Sequence, residues 1–390
     1  MTGFEATLRG ALRPGATVAL GDGVGQVRTV DGGEPIGSVL SRVARDFGGV
    51  RLILGWLPTA PEGLDADAFG EVVALMPGWG VRNLLPCPTA HFVPTRLTGI
   101  ASLLREPLRP DVLLTRLVDG DNGLKFSTEV SWQRELIGVG VPVLAVVDSR
   151  SPDADAAGPL DPASVTIAGH SADGPAQVTQ KDPDPVHDAL ADAVLQFVPE
   201  GARLQYGPGQ LGTALLRRTK VAVHIDTGLL TDAVVDLDHR GLLIGDPSAT
   251  YLLGTELLYD WADGRPILRG IEHTHDLTRL SQGPPFVAVN TALEIDRWGQ
   301  INVEGFGSKI IGGIGGHPDF CAAAAMSRDG LSVIAVPSTF AGRSPLVDQL
   351  SRPASTPAYD VDLIVTESGH ADLRGADWDT RRQRISALFE

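Results

Sequence analysis

Short apolar runs alternate with amphipathic segments along the N-terminal half of the chain. Each run is rich in β-branched residues, which favours a buried strand. The predicted strands are 16–22, 50–56, 110–118 and 141–148. A helical period extends over 35–47, between the first two runs, and an amphipathic segment near 128–138 joins the last two. This order predicts parallel α/β units, whose strands are buried on both faces.

A similar alternation follows in the C-terminal half, after a break. From Ser149 to about Asp184 the chain is rich in Pro, Asp, Ala, Gly and Ser, which predicts a linker or a surface excursion. Beyond it, the predicted helices are 184–198, a segment ending near 218, and 230–241. The predicted strands lie within 202–210 and at 220–226, 286–296, 331–338 and 361–367. The sequence therefore predicts two α/β domains, residues 1–185 and 186–390, with largely parallel sheets.

Length and composition agree with a two-domain protein, because one hydrophobic core rarely extends over 390 residues. The first residues lack the basic start and apolar run of a signal peptide. No apolar stretch is long enough to cross a bilayer, so we expect a cytoplasmic protein. Cys87 and Cys321 are too few for a disulfide scaffold, and nothing near them suggests a metal site, so no metal is expected.

The charge of the chain limits its partners. With 48 acidic and 32 basic residues, the formal net charge is -16. Nucleic-acid binding needs an extended basic surface, so no nucleic-acid partner is expected. A small anion needs only a few arginines or backbone N–H groups, and such a ligand remains compatible with this composition.

Three glycine-rich stretches differ in what they indicate. "GDGVGQ" (21–26) departs from the dinucleotide fingerprint, so a tight turn is the better interpretation. "YGPGQLG" (206–212) lies between a strand and a helix, where a plain turn and an oxyanion site are both open. "GGIGG" (312–316) places four glycines in five positions, which favours close approach of a ligand or a second chain to the backbone.

Several polar residues are candidates for chemistry. His273 and His275 lie on one side of an extended segment but lack a third ligand, so an exposed polar loop is favoured over a metal site. Glu294 reads as a structural carboxylate, and Glu367 as a packing or site-edge residue. Glu129 is interpreted as a first-turn carboxylate of the helix near 128–138.

Longer motifs resemble the family I CoA-transferases, the group that includes acetyl-CoA hydrolase/transferase and 4-hydroxybutyrate CoA-transferase. In the C-terminal half the matching segments are 201–216, 289–302, 305–339 and 360–375. Weaker matches in the N-terminal half are 12–23, 108–127 and 141–148. The resemblance covers nearly the whole chain, and "GFGSKIIGGIGGHPDFCAAAAMSRDGLSVIAVPST" (305–339) is its most specific part. It implies two CoA-transferase-type α/β domains.

The resemblance also implies a chemistry and a ligand. Family members move CoA between carboxylic acids through an active-site glutamate, which forms an acyl anhydride and then carries CoA as a thioester. Each tetrahedral intermediate has an oxyanion that needs positioned donors. The expected substrates are an acyl-CoA and a carboxylic acid acceptor, and relatives commonly form homodimers. By position, the expected CoA-binding residues are Gly207, Gly209, Gly312, Gly313, Gly315, Gly316 and His317. His317 is either a contact to the acyl group or a structural histidine.

The glutamate of the family is missing from the corresponding segment "VAVHIDTGLLTDAVVDL" (221–237). Aligned from the strand, His224 matches the family's histidine and Asp226 takes the glutamate position. Aligned from the helix, Thr231 and Asp232 match the family's Ser-Asp pair and Gly228 takes that position. An aspartate nucleophile has a side chain one methylene shorter, and a displacement of about 1 Å can cost about a hundredfold in rate.

The predicted function therefore has several forms. If Asp226 is the nucleophile, the protein moves CoA between carboxylic acids. If Gly228 takes the position, the protein hydrolyses an acyl-CoA or cleaves or forms a C–C bond in it, with His224 or Asp226 as general base. The alternative from another class is a catalytically silent CoA-binding paralogue that acts as a sensor or a partner subunit.

Overall fold

Two largely parallel β-sheets, one from each half of the chain, form the framework of the computed structural model, which describes residues 3–340 and 342–390. The helices of the N-terminal half are α1 (Gly3–Ala11), α2 (Ile36–Phe47), α3 (Leu97–Arg105) and α4 (Gln133–Gly138). The strands of this half are β1 (Thr17–Leu20), β2 (Thr29–Val30), β3 (Glu34–Pro35), β4 (Arg51–Leu54), β5 (Glu71–Ala74), β6 (Ala90–Phe92), β7 (Val112–Gly120), β8 (Gly123–Lys125), β9 (Val143–Asp148) and β10 (Val165–Ser171).

Seven parallel strands make the first sheet, in the order β10, β9, β7, β1, β4, β5, β6, and β8 pairs antiparallel with β7. Its central strands are buried on both faces because their side chains alternate between two cores. Leu52 of β4 packs in the cluster that includes α1 and α2. The next residue, Ile53, packs on the other face with residues of α3 and α4.

The C-terminal half has more helices and shorter strands. Its helices are α5 (Pro185–Leu195), α6 (Gln210–Arg218), α7 (Ala233–His239), α8 (Glu256–Ala262), α9 (Ile271–Thr274), α10 (Leu277–Ser281), α11 (His317–Met326) and α12 (Trp378–Phe389). Its strands are β11 (Arg203–Tyr206), β12 (His224–Ile225), β13 (Leu229–Leu230), β14 (Tyr251–Leu252), β15 (Phe286–Asn290), β16 (Glu294–Asp296), β17 (Ile301–Asn302), β18 (Gly305–Phe306), β19 (Lys309–Ile310), β20 (Leu331–Ala335), β21 (Leu346–Val347), β22 (Leu363–Thr366) and β23 (Gly369–Asp372).

The second sheet has the order β12, β11, β15, β20, β22, β23, and only the last strand is antiparallel to its neighbour. Alternation again assigns successive residues to different cores. Val287 and Val289 of β15 face the cluster that contains α5 and α6. Phe286 and Ala288 face α11, where they contact Phe320 and its neighbours. The α/β fold class with largely parallel sheets is therefore confirmed.

The largest apolar cluster joins the two halves. It contains Ile53 and Leu113 from the first sheet and Leu204 and Val333 from the second. The predicted division at residue 185 stays a prediction, although every strand of the first sheet precedes it and every strand of the second follows it. The cluster indicates that the two halves pack on each other through apolar side chains.

Four predicted elements differ from the structure. The segment 149–184 contains β10, an edge strand that pairs in parallel with β9, so the prediction of a linker or excursion was wrong for that part. The strand predicted at 220–226 is reduced to β12, and the chain then leaves the sheet. The strand predicted at 286–296 is two strands, β15 and β16, in different sheets. The segment 128–138 becomes helical only at Gln133.

Candidate active site

A cavity of about 300 Å³ lies between the two halves. Residues at the carboxyl ends of parallel strands line it from both sides. Trp56 and Met76 follow β4 and β5 of the first sheet, whereas Gly207 follows β11 and Asn290 ends β15 of the second. Ligands of α/β proteins bind outside the carboxyl ends of the strands, so this position is where a substrate is expected.

Residues 312–316, the glycine segment, form one wall of this cavity. Gly312, Gly313, Gly315 and Gly316 all line it. The segment is also held against the N-terminal half, because the Leu97 backbone N–H donates to the Gly315 carbonyl oxygen at 3.0 Å. A Cβ on Gly313 would lie 3.0 Å from the Met76 sulfur, tighter than most real contacts. The bare backbone therefore has two uses, a cavity wall and a close contact between the halves.

Helix α11 begins directly after the glycine segment and brings two more residues to the cavity. Phe320 packs on His275, with ring centroids 4.4 Å apart, and both line the cavity. The ring of His317 is engaged at both nitrogens, by Thr356 Oγ1 at 2.6 Å and by the Thr291 carbonyl oxygen at 2.9 Å. Burial lowers the pKa of His317 to about 4, so the ring is neutral.

The lining of the cavity also contains Gly228, one of the two residues that compete for the glutamate position. Its carbonyl oxygen accepts from the backbone N–H groups of Thr250 and Tyr251, both at 3.1 Å. A Cβ built on Gly228 would lie 3.4 Å from His275 Nε2 and 3.4 Å from Phe320 Cε2. A side chain at this position would therefore enter the space between His275, Phe320 and the cavity.

Asp226, the other candidate, lies outside the lining of the cavity. Its buried carboxylate accepts two hydrogen bonds from Arg279, at 2.7 and 2.8 Å, and Arg203 Nη1 lies 3.6 Å away. This bidentate geometry is typical of a structural ion pair. His224 is half-buried in β12 and also lies outside the lining. The structure thus brings neither of the two predicted catalytic residues to the cavity wall.

The other predicted site residues fall into two groups. Gly207, the four glycines of the glycine segment and His317 all line the cavity. Gly209 does not: it precedes α6 with φ of 102°, and its N–H donates to Gln180 Oε1 at 3.0 Å. Glu294 accepts from Asn302 Nδ2 at 2.7 Å and from Ser351, which fits its interpretation as a structural carboxylate. Glu367 accepts from the Ser338 backbone N–H at 2.8 Å.

His275 is the clearest functional residue that sequence reasoning missed. Only 1% of its surface is exposed, so the interpretation of this segment as an exposed polar loop was wrong for His275. Burial lowers its pKa to about 3, and Arg279 adds to the shift. The short helix α9 and its buried Ile271 turn the segment inward. In the sequence, the paired histidines of "EHTHDL" were the available signal.

A buried acidic cluster lies behind the cavity wall at Tyr251. The Tyr251 hydroxyl donates to Asp22 Oδ2 at 2.8 Å, and Trp132 Nε1 donates to the same oxygen at 3.0 Å. Burial raises the pKa of Asp22 to about 6, against these hydrogen bonds. Tyr251 lines the cavity and meets the ring of Trp56 edge-on, with centroids 5.5 Å apart.

Glu129 belongs to the same cluster, and its interpretation as a first-turn carboxylate was wrong. It precedes α4, is 1% exposed, and accepts from the Gly25 backbone N–H and from Thr128 Oγ1, at 2.8 and 2.7 Å. Burial raises the pKa of Glu129 to about 7, although Arg116 lowers it. The turn at residues 21–26 closes around this carboxyl group, because a Cβ on Gly23 or Gly25 would overlap it.

Asp319, at the start of α11, connects the two halves at the edge of a second cavity of about 300 Å³. It accepts from Thr98 Oγ1 at 2.7 Å, and Arg96 Nε lies 3.5 Å from it. Burial raises the pKa of Asp319 to about 6. This second cavity shares Leu97 and His275 with the first.

Within residues 3–340 and 342–390, no group of three or more His, Cys, Asp or Glu side chains has the arrangement of a metal site. No helix among them combines the length and the apolar character needed to cross a membrane.

Comparison with known proteins identifies the family. Residues 254–389 match the model of the acetyl-CoA hydrolase/transferase C-terminal domain. The succinyl-CoA:cyclohexane-1-carboxylate CoA transferase of Geobacter metallireducens is 30% identical over 320 residues, which cover 77% of this chain and 72% of that protein. The chain therefore belongs to the family I CoA-transferases, the family that also contains acetyl-CoA hydrolases.

A second relative matches over a shorter stretch. The 4-hydroxybutyrate coenzyme A transferase of Clostridium kluyveri is 30% identical over 222 residues, 52% of this chain. The chain spans about half the length of that protein (51%). This similarity therefore supports the family, whereas the reaction of this chain depends on its own residues.

Solved structures share the fold over the whole chain. The crystal structure of RipA from Yersinia pestis has a TM-score of 0.85 at 22% identity, covering 100% of this chain and 94% of that one. The 4-hydroxybutyrate CoA-transferase of Porphyromonas gingivalis has a TM-score of 0.76 at 20% identity, with the same coverage. These structures support two CoA-transferase-type α/β domains.

Proposed function

We propose that the protein binds an acyl-CoA in the cavity between its halves and hydrolyses the thioester. Family membership supports the ligand, because relatives are named as CoA-transferases and acetyl-CoA hydrolases. The position of the glycine segment supports it as well, since four of its glycines line the cavity where backbone groups are accessible.

The choice of hydrolysis over transfer is supported by one observation. Gly228 lines the cavity, whereas Asp226 lies outside the lining and forms an ion pair with Arg279. A covalent mechanism needs a nucleophile at the thioester carbon, and an aspartate kept in a bidentate ion pair would first have to leave its partner. Water in the space beside Gly228 reaches the same carbon without that rearrangement.

The test is incubation of the protein with a panel of acyl-CoAs, with and without acetate. Free CoA and all thioesters are followed by mass. Hydrolysis predicts equal amounts of free CoA and carboxylic acid at a rate that acetate does not change. New acetyl-CoA would instead demonstrate transfer, and a shortened acyl-CoA would demonstrate C–C cleavage. Binding without any product would support the catalytically silent paralogue.

Borohydride trapping adds a direct test of Asp226. A CoA thioester formed on this residue would be reduced by borohydride, and the modified peptide would be located by mass. We expect no modified peptide during turnover. A modified Asp226 would contradict the proposal and establish the covalent mechanism. The homodimer expected from the family stays a prediction, which sedimentation velocity tests.

A further inference from the structure

His275 presents an unpartnered nitrogen to the cavity. Its Nε2 is buried and, among the described residues, has no hydrogen-bond partner. Buried polar atoms in proteins nearly always have a partner, so an isolated one at a cavity wall indicates a missing ligand or water. The ring itself lines the cavity.

The hydrogen bonds of Thr274 are compatible with a proton on Nδ1 of His275. Thr274 Oγ1 lies 3.2 Å from the Gly270 carbonyl oxygen, to which it can donate. With its single proton used there, the hydroxyl accepts from Nδ1–H at 2.8 Å. We assign this tautomer, in which Nε2 carries a free lone pair.

Two glycines of the cavity lining lie beside this nitrogen. A Cβ on Gly228 would lie 3.4 Å from His275 Nε2, and a Cβ on Gly316 would overlap that atom. The nitrogen is buried next to both glycines. A side chain at either position would therefore reach it.

We propose that His275 is the general base of thioester hydrolysis; this inference rests on the proposed function. The water oxygen forms a bond to the thioester carbonyl carbon while one water proton moves to His275 Nε2. The carbonyl π electrons move to oxygen and give a tetrahedral oxyanion. When the oxyanion collapses, the C–S bond breaks, and the proton on Nε2 moves to the departing CoA sulfur. The products are a carboxylic acid and CoA, and the imidazole is neutral again.

The local environment supports this role in two ways. Burial keeps the imidazole neutral over the physiological pH range, so its lone pair is free, and the same low pKa makes protonation depend on a nearby negative charge. The Nδ1 contact with Thr274 holds the ring orientation. The imidazolium that forms during attack lies next to the developing oxyanion, and an opposite charge within a few ångströms stabilises the charged form.

The principal test compares His275→Gln and His275→Ala with His273→Ala. The glutamine variant fills most of the space of the ring but cannot take the proton. We expect kcat for hydrolysis to fall at least about a hundredfold in both His275 variants. The Kd for the acyl-CoA, measured by calorimetry, should stay within about threefold of the parent value. A general base acts in the transition state and is not needed to bind the substrate. His273 lies two residues away in the same segment and outside the cavity lining, so His273→Ala should retain the parent rate.

Chemical rescue separates a catalytic role from a structural one. Added imidazole should restore part of the rate of His275→Ala, whereas pyrrole, a ring of the same size without a basic nitrogen, should not. Equal rescue by both rings, or a parent rate in His275→Gln, would overturn the role of His275 while leaving hydrolysis established. A parent enzyme that hydrolyses no acyl-CoA would overturn the proposed function and this inference together.

Discussion

The glycine segment and the turn at Gly228 are two walls of one cavity, and glycine has a different effect in each. In the glycine segment, bare backbone allows close contact with Met76 and Leu97 of the N-terminal half while four residues line the cavity. At Gly228 the backbone is not in the left-handed region, and a Cβ would meet its neighbours at ordinary contact distance. The glycine segment thus requires glycine for packing, whereas the turn at Gly228 has room for a side chain.

This difference separates binding from chemistry. The wall that holds the thioester in the proposed function has little freedom to change, because a Cβ on Gly313 or Gly316 would meet other atoms closely and Gly315 has a positive φ. In the proposed function, the wall at Gly228 has room for a nucleophile and holds none. A cavity of this kind can keep its ligand through evolution while its reaction changes, since the two tasks depend on different residues.

The strongest test of the comparison restores a carboxylate in Gly228→Glu. The new side chain starts in allowed backbone and would enter the space next to His275 Nε2. We expect CoA transfer to acetate to rise from undetectable to measurable, and a CoA thioester on the new glutamate to be trapped by borohydride. Gly228→Gln, of the same size without a nucleophile, is the matched control. Transfer in the glutamine variant, or its absence from a folded glutamate variant, would break the comparison.

The glycine segment is tested by Gly316→Ala. The added methyl would overlap His275 Nε2 and lie 2.9 Å from Phe320 Cε2, so the ring has to move. A displacement of about 1 Å at a reacting group costs about a hundredfold, and we expect the hydrolysis rate to fall by that factor. Gly10→Ala in α1, where a Cβ meets nothing within 4 Å, is the control. A rate near the parent value in Gly316→Ala would show that this wall tolerates side chains.

Asp226→Asn tests whether the residue next to the Gly228 turn is structural. It removes the charge that pairs with Arg279 at 2.7 and 2.8 Å, and breaking a buried pair costs about 3 kcal/mol. We expect urea unfolding to show this loss while the hydrolysis rate stays near the parent value. Asp182→Asn, which breaks an exposed pair with Arg217, should cost under about 1 kcal/mol. Loss of activity in a stable Asp226→Asn protein would contradict a purely structural role.

The smallest effect concerns His317 and the pH. Its pKa in the folded protein is about 4, against about 6.5 in an unfolded chain. As the pH falls below about 6.5, the unfolded chain binds a proton that the folded protein does not, so the free energy of unfolding decreases. Between pH 7 and 5 this decrease should be about 2 kcal/mol smaller in His317→Gln.

Other titrating groups change the free energy of unfolding in the opposite direction as the pH falls. The effect of His317 is therefore the difference in the free energy of unfolding between the parent and His317→Gln at each pH. The pKa values of Asp22 and Glu129 are raised to about 6 and about 7 by burial, so their contribution to stability decreases as the pH rises from about 4. Parallel pH curves for the parent and His317→Gln would show that folding does not lower the pKa of His317.

Much of the fold could be predicted from the sequence because buried parallel strands have a strong local signal. β4 and β9 are continuous apolar runs, and the structure confirms both near their predicted positions. The edge strand β10 was not predicted, because it has a strand on one side only and is partly exposed. Ile167, for example, is 50% exposed, so polar and apolar residues are mixed along this strand. The apolar pattern predicts one strand over residues 286–296, because the change of sheet after Asn290 leaves no mark in that pattern.

The site could be predicted only where it is continuous in sequence. The glycine segment and Gly207 were found because each is a local motif. Whether Asp226 or Gly228 takes the glutamate position depends on which residue faces the cavity after the chain leaves β12. The segment can be aligned with the family in two ways that differ by two residues, so the sequence leaves both residues open. His275 escaped recognition because its value as a base depends on Thr274, on the glycines around Nε2 and on burial, none of which is visible in a histidine pair.

The apolar cluster shared by the two sheets has a consequence for how the protein melts. Ile53 and Leu204 belong to different sheets but to the same core, so separating the halves would expose apolar surface to water. We therefore expect the two sheets to unfold as one cooperative unit, in a single calorimetric transition. A destabilising change in either half lowers the melting temperature of the whole, and the cavity between the halves persists until the entire fold is lost.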